Sequence, residues 1–114
     1  MTIRISLAGA TGWAGSALAR AIAKSNDMTL VSAVSRTHAG QILGDVLNEP
    51  LLNCPIYASA QEALSAHPCD VFFEFTKPDI AKSNVLTALQ HGAHVVIGKS
   101  GLTDEDYDEI AIYQ

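Results

Sequence analysis

The sequence is poor in the residues that several protein chemistries demand. Its two cysteines, Cys54 and Cys69, lie far apart with no C-x-x-C spacing, and its four histidines are scattered singly. Metal centres need clustered thiolate or imidazole ligands, so no metal site is expected and the cysteines read as ordinary buried thiols in a reducing compartment. Basic residues are also few: 7 Lys and Arg stand against 12 Asp and Glu, a formal net charge of −5. That balance argues against nucleic acid or an anionic membrane surface as partner, although a local pocket on an acidic protein can still hold an anion. No apolar run is long enough to span a bilayer, since Gly9 interrupts the first one, and no signal peptide is read. A soluble, cytoplasmic protein is therefore expected. Repeats, low-complexity segments and any Ser/His/Asp or Cys/His constellation are missing as well.

What the chain does have is apolar residues in quantity: 48% hydrophobic against 17% charged over 114 residues, enough for one compact domain with a real core. Ile3, Ile5 and Leu7 alternate with Arg4 and Ser6 at strand period, and a glycine turn follows at Gly9. Residues 16–24 carry Ala17, Leu18, Ala21 and Ile22 at helical spacing, and residues 30–34 read as a second strand. Residues 35–53 form a long loop with one helical turn near 41–47, and Ile56 and Tyr57 a short third strand. Ser59 with Glu62 opens a helix that ends near His67 and Pro68. Residues 70–75 make a buried fourth strand. Thr76 caps the next helix, Pro78 fits its first turn and Gly92 stops it. Residues 93–97 are a fifth strand. After the turn at Gly98 to Gly101, Thr103 with Asp106 begins a last helix whose carboxylates, Asp104, Glu105, Asp106, Asp108 and Glu109, suit a helix start. Strands alternating with helices specify an α/β fold with a doubly wound parallel sheet, one domain over residues 1–114. The last helix has no cap at Gln114, and the chain is expected to stop partway through a larger architecture.

The turn Gly9-Ala10-Thr11-Gly12-Trp13-Ala14-Gly15 has the spacing G-x-x-G-x-x-G between a strand and a helix, the context that a Rossmann-type dinucleotide fingerprint requires. Gly9 permits a tight exit from the strand, Gly12 lets backbone N–H groups approach phosphate, and Gly15 lets the helix pack close. The helix N-terminus supplies unpaired donors and partial positive charge for a pyrophosphate. A merely structural turn is the alternative. At the end of the second strand an Asp or Glu would bind a ribose 2′-hydroxyl, but the chain has Ser35-Arg36-Thr37-His38 and no carboxylate before Asp45. A guanidinium fits phosphate in a bidentate fork, so NADPH is preferred and NADH is possible; a solvated loop residue is the other reading of Arg36. The fourth strand ends at Glu74-Phe75-Thr76-Lys77-Pro78, where Phe75 either packs on nicotinamide or belongs to the core, and Thr76 offers its hydroxyl or N–H. Gly98 and Gly101 let the backbone near the nicotinamide end, and Lys99 and Ser100 can hold a carboxamide or a substrate carboxylate. Gly98-Lys99-Ser100 is no P-loop, because Ala93 stands where the first glycine belongs. His91, at a helix end, is expected to meet the helix's last carbonyls.

These motifs together resemble dihydrodipicolinate reductase (4-hydroxy-tetrahydrodipicolinate reductase). The resemblance rests on Gly9-Ala10-x-Gly12-x-x-Gly15, Ser35-Arg36, Glu74-Phe75-Thr76-Lys77-Pro78, and the run from His91-Gly92-Ala93-His94 through Gly98-x-Ser100-Gly101-Leu102-Thr103. It covers the whole chain but only the N-terminal half of the family. It implies reduction of a cyclic dihydrodipicolinate-level dicarboxylate by NAD(P)H on the diaminopimelate route to lysine, in a homo-oligomer. It places Gly9, Thr11, Gly12, Trp13, Ala14 and Gly15 around the pyrophosphate, Ser35 and Arg36 at the adenosine phosphate, and Phe75, Thr76, Gly98 and Ser100 around nicotinamide. Lys99, Ser100 and Gly101 fall on the substrate side. The family commonly has Arg-Met where Trp13-Ala14 stands, and a threonine at Lys99. Its catalytic domain, with a His-His pair and a substrate-holding lysine, is not in this chain, so no proton donor is assigned and the fragment is not expected to turn over alone. Two other readings stay open: the nucleotide domain of a semialdehyde dehydrogenase, which would need a cysteine after the fifth strand, and a stand-alone NADP(H)-binding regulatory module.

Overall fold

The computed structural model describes residues 2–76 and 78–98. The expected last helix with its carboxylates and the turn at residues 99–101 lie outside the described residues.

Strand β1 (Ile3–Ala8) leads through the glycine turn into helix α1 (Trp13–Ala23) and strand β2 (Met28–Val34). Then come α2 (Leu43–Leu47), β3 (Ile56–Tyr57), α3 (Ala60–Ala66), β4 (Val71–Glu74), α4 (Pro78–Gln90) and β5 (His94–Ile97). The five strands form one sheet in the order β3-β2-β1-β4-β5, every pairing parallel. Strand order therefore reverses beside β1, between β2 and β4, and in an open α/β sheet ligands bind at the carboxyl ends of the strands that flank such a reversal.

Two cores cover the two faces. On one, Ile5 and Leu7 pack with Ala19 and Ile22 of α1 and with Leu43, Leu52 and Cys54 of the α2 region. On the other, Ala8, Val34 and Phe72 pack with Ala60, Ala63 and Leu64 of α3 and Ala88 of α4. Ser6 interrupts the apolar run of β1 yet is fully buried; its hydroxyl meets that of Ser32 on β2 at 2.8 Å, so each satisfies the other. The alternation that reads as a half-wet strand belongs here to a central strand closed on both sides.

Two local differences from the sequence reading bear on the site. Helix α1 begins at Trp13, three residues earlier than the apolar spacing suggests, because glycine's low helix propensity masks a first turn that contains Gly15. And residues 35–53 are more ordered than a long loop. Leu43 and Gly44 donate to the carbonyls of Cys54 and Leu52, Gly40 donates to Ile56 O while Ile56 donates to Gln41 O, and Asn48 closes α2 in the left-handed region at φ 58°. Helix α3 opens as expected, with Ser59 Oγ accepting from the N–H of Glu62 at 3.1 Å. His91 departs from expectation: its Nε2 faces Gln61 Oε1 on α3 at 3.2 Å instead of the α4 carbonyls.

Candidate functional site

The glycine turn is built by close backbone approach. Gly9 has φ +84°, and its N–H donates to Val34 O. A Cβ there would stand 2.8 Å from Phe75 O, so the end of β4 lies directly against the turn. At Gly15 a Cβ would stand 2.0 Å from Gly9 O, which seats the first turn of α1 on the loop before it. Gly12 differs from both. Its backbone is extended (φ −75°, ψ 173°), a conformation open to any residue, and a Cβ would meet only Gly9 O, at 3.3 Å. The backbone conformation does not demand glycine here, and a Cβ would need Gly9 O to give by only a few tenths of an ångström.

Gly12 N-caps α1 without a side-chain cap, and the first turn of the helix holds no acidic residue. The opening N–H groups of an α-helix have no partner within the helix and carry its positive end. Here they face a cleft with two compartments that share Gly9, Gly12 and Phe75. One, of about 340 Å³, is lined also by Trp13, Ala14, Gly15 and Gly98. The other, of about 370 Å³, is lined also by Val34, Ser35, Arg36, Thr37, Thr76 and Ile80. Among the described residues no carboxylate lines the second compartment, and Arg36 is the one cation that does. A smaller hollow of about 190 Å³ adjoins it, reaching Ser59, Ser83 and Asn84. Two bowls joined across Gly12 and a helix N-terminus suit a ligand of two halves linked by an anionic bridge.

Most of the residues expected at the site thus meet: Gly9, Gly12, Trp13, Ala14, Gly15, Ser35, Arg36, Phe75, Thr76 and Gly98 line one cleft. Thr11, half-buried in the turn, lines neither compartment. Lys99, Ser100 and Gly101 lie outside the described residues. Phe75 belongs to the core and borders the cleft at once. The side chain packs against the core and lies parallel to Phe73 at a centroid distance of 6.4 Å, while it also walls both compartments. Gly98 sits on its ring so closely that a Cβ would fall 1.9 Å from Phe75 Cε1.

Thr76 is a correction. Its hydroxyl and its N–H both donate to Glu74 Oε1, the N–H at 2.8 Å, so neither is held out to a ligand, and α4 begins two residues on, at Pro78. Glu74 carried no assigned role in the sequence, yet it is fully buried at the end of β4. Burial pushes its carboxyl pKa up, and the hydrogen bonds from Thr76, together with nearby Asn84, only partly offset this. Neither Glu74 Oε2 nor Asn84 Nδ2 reaches hydrogen-bond geometry with a partner. Among the described residues no three His, Cys, Asp or Glu side chains gather to hold a metal ion, and no helix is long and apolar enough to cross a membrane.

Sheet order, glycine turn and two-part cleft define a nucleotide-binding domain of the Rossmann type. The chain belongs to the dihydrodipicolinate reductase family: the model of that family's N-terminus matches residues 3–114. A 4-hydroxy-tetrahydrodipicolinate reductase of Bacillus cereus is 31% identical over 108 residues, 95% of this chain and 41% of the relative. Another from the same species is 32% identical over 104 residues, covering 91% of this chain and 39% of the relative. The chain thus spans about two fifths of the length of these relatives. Among solved structures, a dipicolinate-bound dihydrodipicolinate reductase from a Paenisporosarcina species superposes with TM-score 0.80 at 24% identity, over 99% of this chain and 43% of that one. A scyllo-inositol dehydrogenase from Lactobacillus casei, with bound NAD(H), superposes with TM-score 0.81 at 22% identity, over 99% and 33%. At such identities the likeness is one of fold.

Proposed function

We propose that this chain is the cofactor domain of a 4-hydroxy-tetrahydrodipicolinate reductase, that it takes NADPH in preference to NADH, and that the whole enzyme works in the cytoplasm on the diaminopimelate route to lysine. The observation that carries the reading is Gly12, a glycine in a backbone conformation any residue can adopt, set where an uncapped helix end meets the junction of the two compartments. A dinucleotide laid along the cleft puts its pyrophosphate against the N–H groups of residues 13–15, the N–H of Gly12 being donated to Gly9 O. Its adenosine half lies in the compartment of Ser35 and Arg36, where the guanidinium pairs with the 2′-phosphate. Its nicotinamide half lies between Trp13, Phe75 and Gly98. The bound cofactor supplies hydride; the chain's own residues bind it, orient it and keep water from one side of it. Lys99, Ser100 and Gly101 follow β5 directly, and we assign them to the substrate side, facing a cyclic dicarboxylate held by the remainder of the homo-oligomeric enzyme. The proton donor belongs to that remainder. Free thiols at Cys54 and Cys69 agree with a reducing compartment.

Titration of the chain with NADPH and NADH tests the proposal. A charge-assisted hydrogen bond contributes about 1.5–3 kcal/mol, so Arg36→Ala should weaken NADPH by about tenfold or more and leave NADH within about twofold. Equal losses for the two cofactors would remove the 2′-phosphate assignment. Turnover of substrate by the longer protein separates the enzyme from a regulatory module that only binds.

A further inference from the structure

The short segment after β4 walls the cleft, Phe75 in both compartments and Thr76 in one, and three of its contacts bear on the cleft. Phe75 O lies against Gly9, the Phe75 ring lies under Gly98, and Thr76 is tied back to Glu74. The third contact involves no glycine and no apolar packing. At the end of β4 the ladder is still made: Phe75 N–H donates to Ala8 O and Gly98 N–H to Glu74 O, both at 3.0 Å. At Thr76 the chain leaves the sheet toward α4 and its N–H loses any strand to donate to. Glu74 Oε1 takes that N–H and the Thr76 hydroxyl as well, so a side chain stands in for the missing strand, as Asx turns do for shorter residues.

We infer that Glu74 is a positioning residue for the nucleotide: through Thr76, its buried carboxyl group sets the turn whose Phe75 and Thr76 wall the cleft. The inference rests on the dinucleotide reading of that cleft. An ionisable group is a poor choice for stability at this place. It is fully buried, two donors converge on one oxygen, and the other oxygen makes no hydrogen bond among the described residues. Burying the carboxyl costs desolvation free energy that donors on a single oxygen only partly return. Orientation gives a reason for the carboxyl that stability does not. Asn84, on the α4 face that reaches the smaller hollow, is near enough to ease the charge on Glu74 although its Nδ2 makes no bond. The pair thus brings α4 alongside the same turn.

The test compares thermal midpoint with NADPH affinity in the 114-residue chain, for the parent and for Glu74→Leu, Glu74→Met and Glu74→Gln. Leucine and methionine remove the acceptor; glutamine keeps an oxygen for Thr76. Expected are midpoints for Leu or Met close to the parent's, the relieved desolvation of the carboxyl offsetting the acceptor lost to Thr76, with NADPH affinity about tenfold weaker, and for Gln a midpoint like the parent's with affinity within about threefold of it. Parent-like NADPH binding by Glu74→Leu or Glu74→Met would overturn the inference and leave the cleft assignment standing. So would failure of both to fold, which would make the residue structural, and so would a loss in Glu74→Gln as large as in the apolar variants. A parent chain that binds neither NADPH nor NADH would remove the cleft assignment, and the inference with it.

Discussion

Gly12→Ala should separate folding from cofactor binding. In the free chain the added methyl meets only Gly9 O, at 3.3 Å, and the backbone at φ −75° suits alanine as well as glycine. Alanine is a worse N-cap than glycine by something under about 1 kcal/mol. It also recovers about 0.4–1 kcal/mol by restricting the unfolded chain. The two nearly cancel, so the thermal midpoint should move by less than about 8 °C, the shift that 1 kcal/mol produces in a small domain. Binding has no such compensation. The methyl stands where both compartments meet and holds a phosphate away from the helix N–H groups, and each charge-assisted bond lost costs about 1.5–3 kcal/mol, roughly 10- to 150-fold in Kd. Gly15→Ala is the control: its Cβ would fall 2.0 Å from Gly9 O, the backbone must shift, and overpacking of that kind costs about 1–3 kcal/mol or more, so stability and affinity should fall together. Differential scanning fluorimetry with fluorescence titration reads both quantities. Unchanged NADPH affinity in a stable Gly12→Ala chain would refute the placement of the pyrophosphate.

The other predictions need no new geometry. Trp13 is the chain's single tryptophan and is 94% exposed at the lip of the cleft, so bound NADPH should quench its emission and take up part of its excitation energy; unaltered emission at saturating NADPH would place the ligand elsewhere. Stability should depend on pH through two carboxyls of opposite sign. Asp70 accepts the Arg4 N–H at 2.8 Å and meets its guanidinium, which lowers its pKa, so its contribution is complete above the ordinary value of 3.8 and fades as pH falls below it. Glu74 is raised by burial, so its folded form favours the proton; that contribution is complete below 4.5 and is lost as pH rises from there through the higher folded value. Urea melts across this range should show Asp70→Asn flattening the acid side and Glu74→Gln flattening the other. The opposite pairing would reverse the assignment.

The legible parts of this domain are those whose causes are local. Strand period in β1, the Ser59 cap and the G-x-x-G-x-x-G spacing each depend on a few consecutive residues, and each takes its expected place. Arg36 and Phe75 were legible for a related reason: in a parallel sheet the carboxyl ends of β2 and β4 flank β1, so residues just past them must border the same turn. The start of α1 was hidden because helix propensity counts glycine against a helix, whereas Gly15 is there for contact with Gly9 O. The order within residues 35–53 was hidden because it comes from backbone bonds between Gln41, Leu43, Gly44 and residues 52–56, which no side-chain pattern reports.

Glu74 shows where a rule could have gone further. The run Val71-Phe72-Phe73-Glu74-Phe75 reads as a buried strand, and a parallel strand covered on both faces gives a charged side chain no route to water. A carboxyl at the final ladder position must therefore find donors where the chain leaves the sheet. The first N–H beyond the ladder is two residues on, at Thr76, with a hydroxyl on the same residue, and both donate to Glu74. That much follows from the sequence and the parallel fold. What does not follow is Asn84, ten residues later, because its approach to Glu74 depends on how α4 lies across β4 and β5, a matter of packing between elements that local spacing does not contain. The same division applies to the cleft: the glycine spacing of its turn is written into one short stretch of sequence, whereas the orientation of the wall opposite it depends on groups that only the folded sheet brings together.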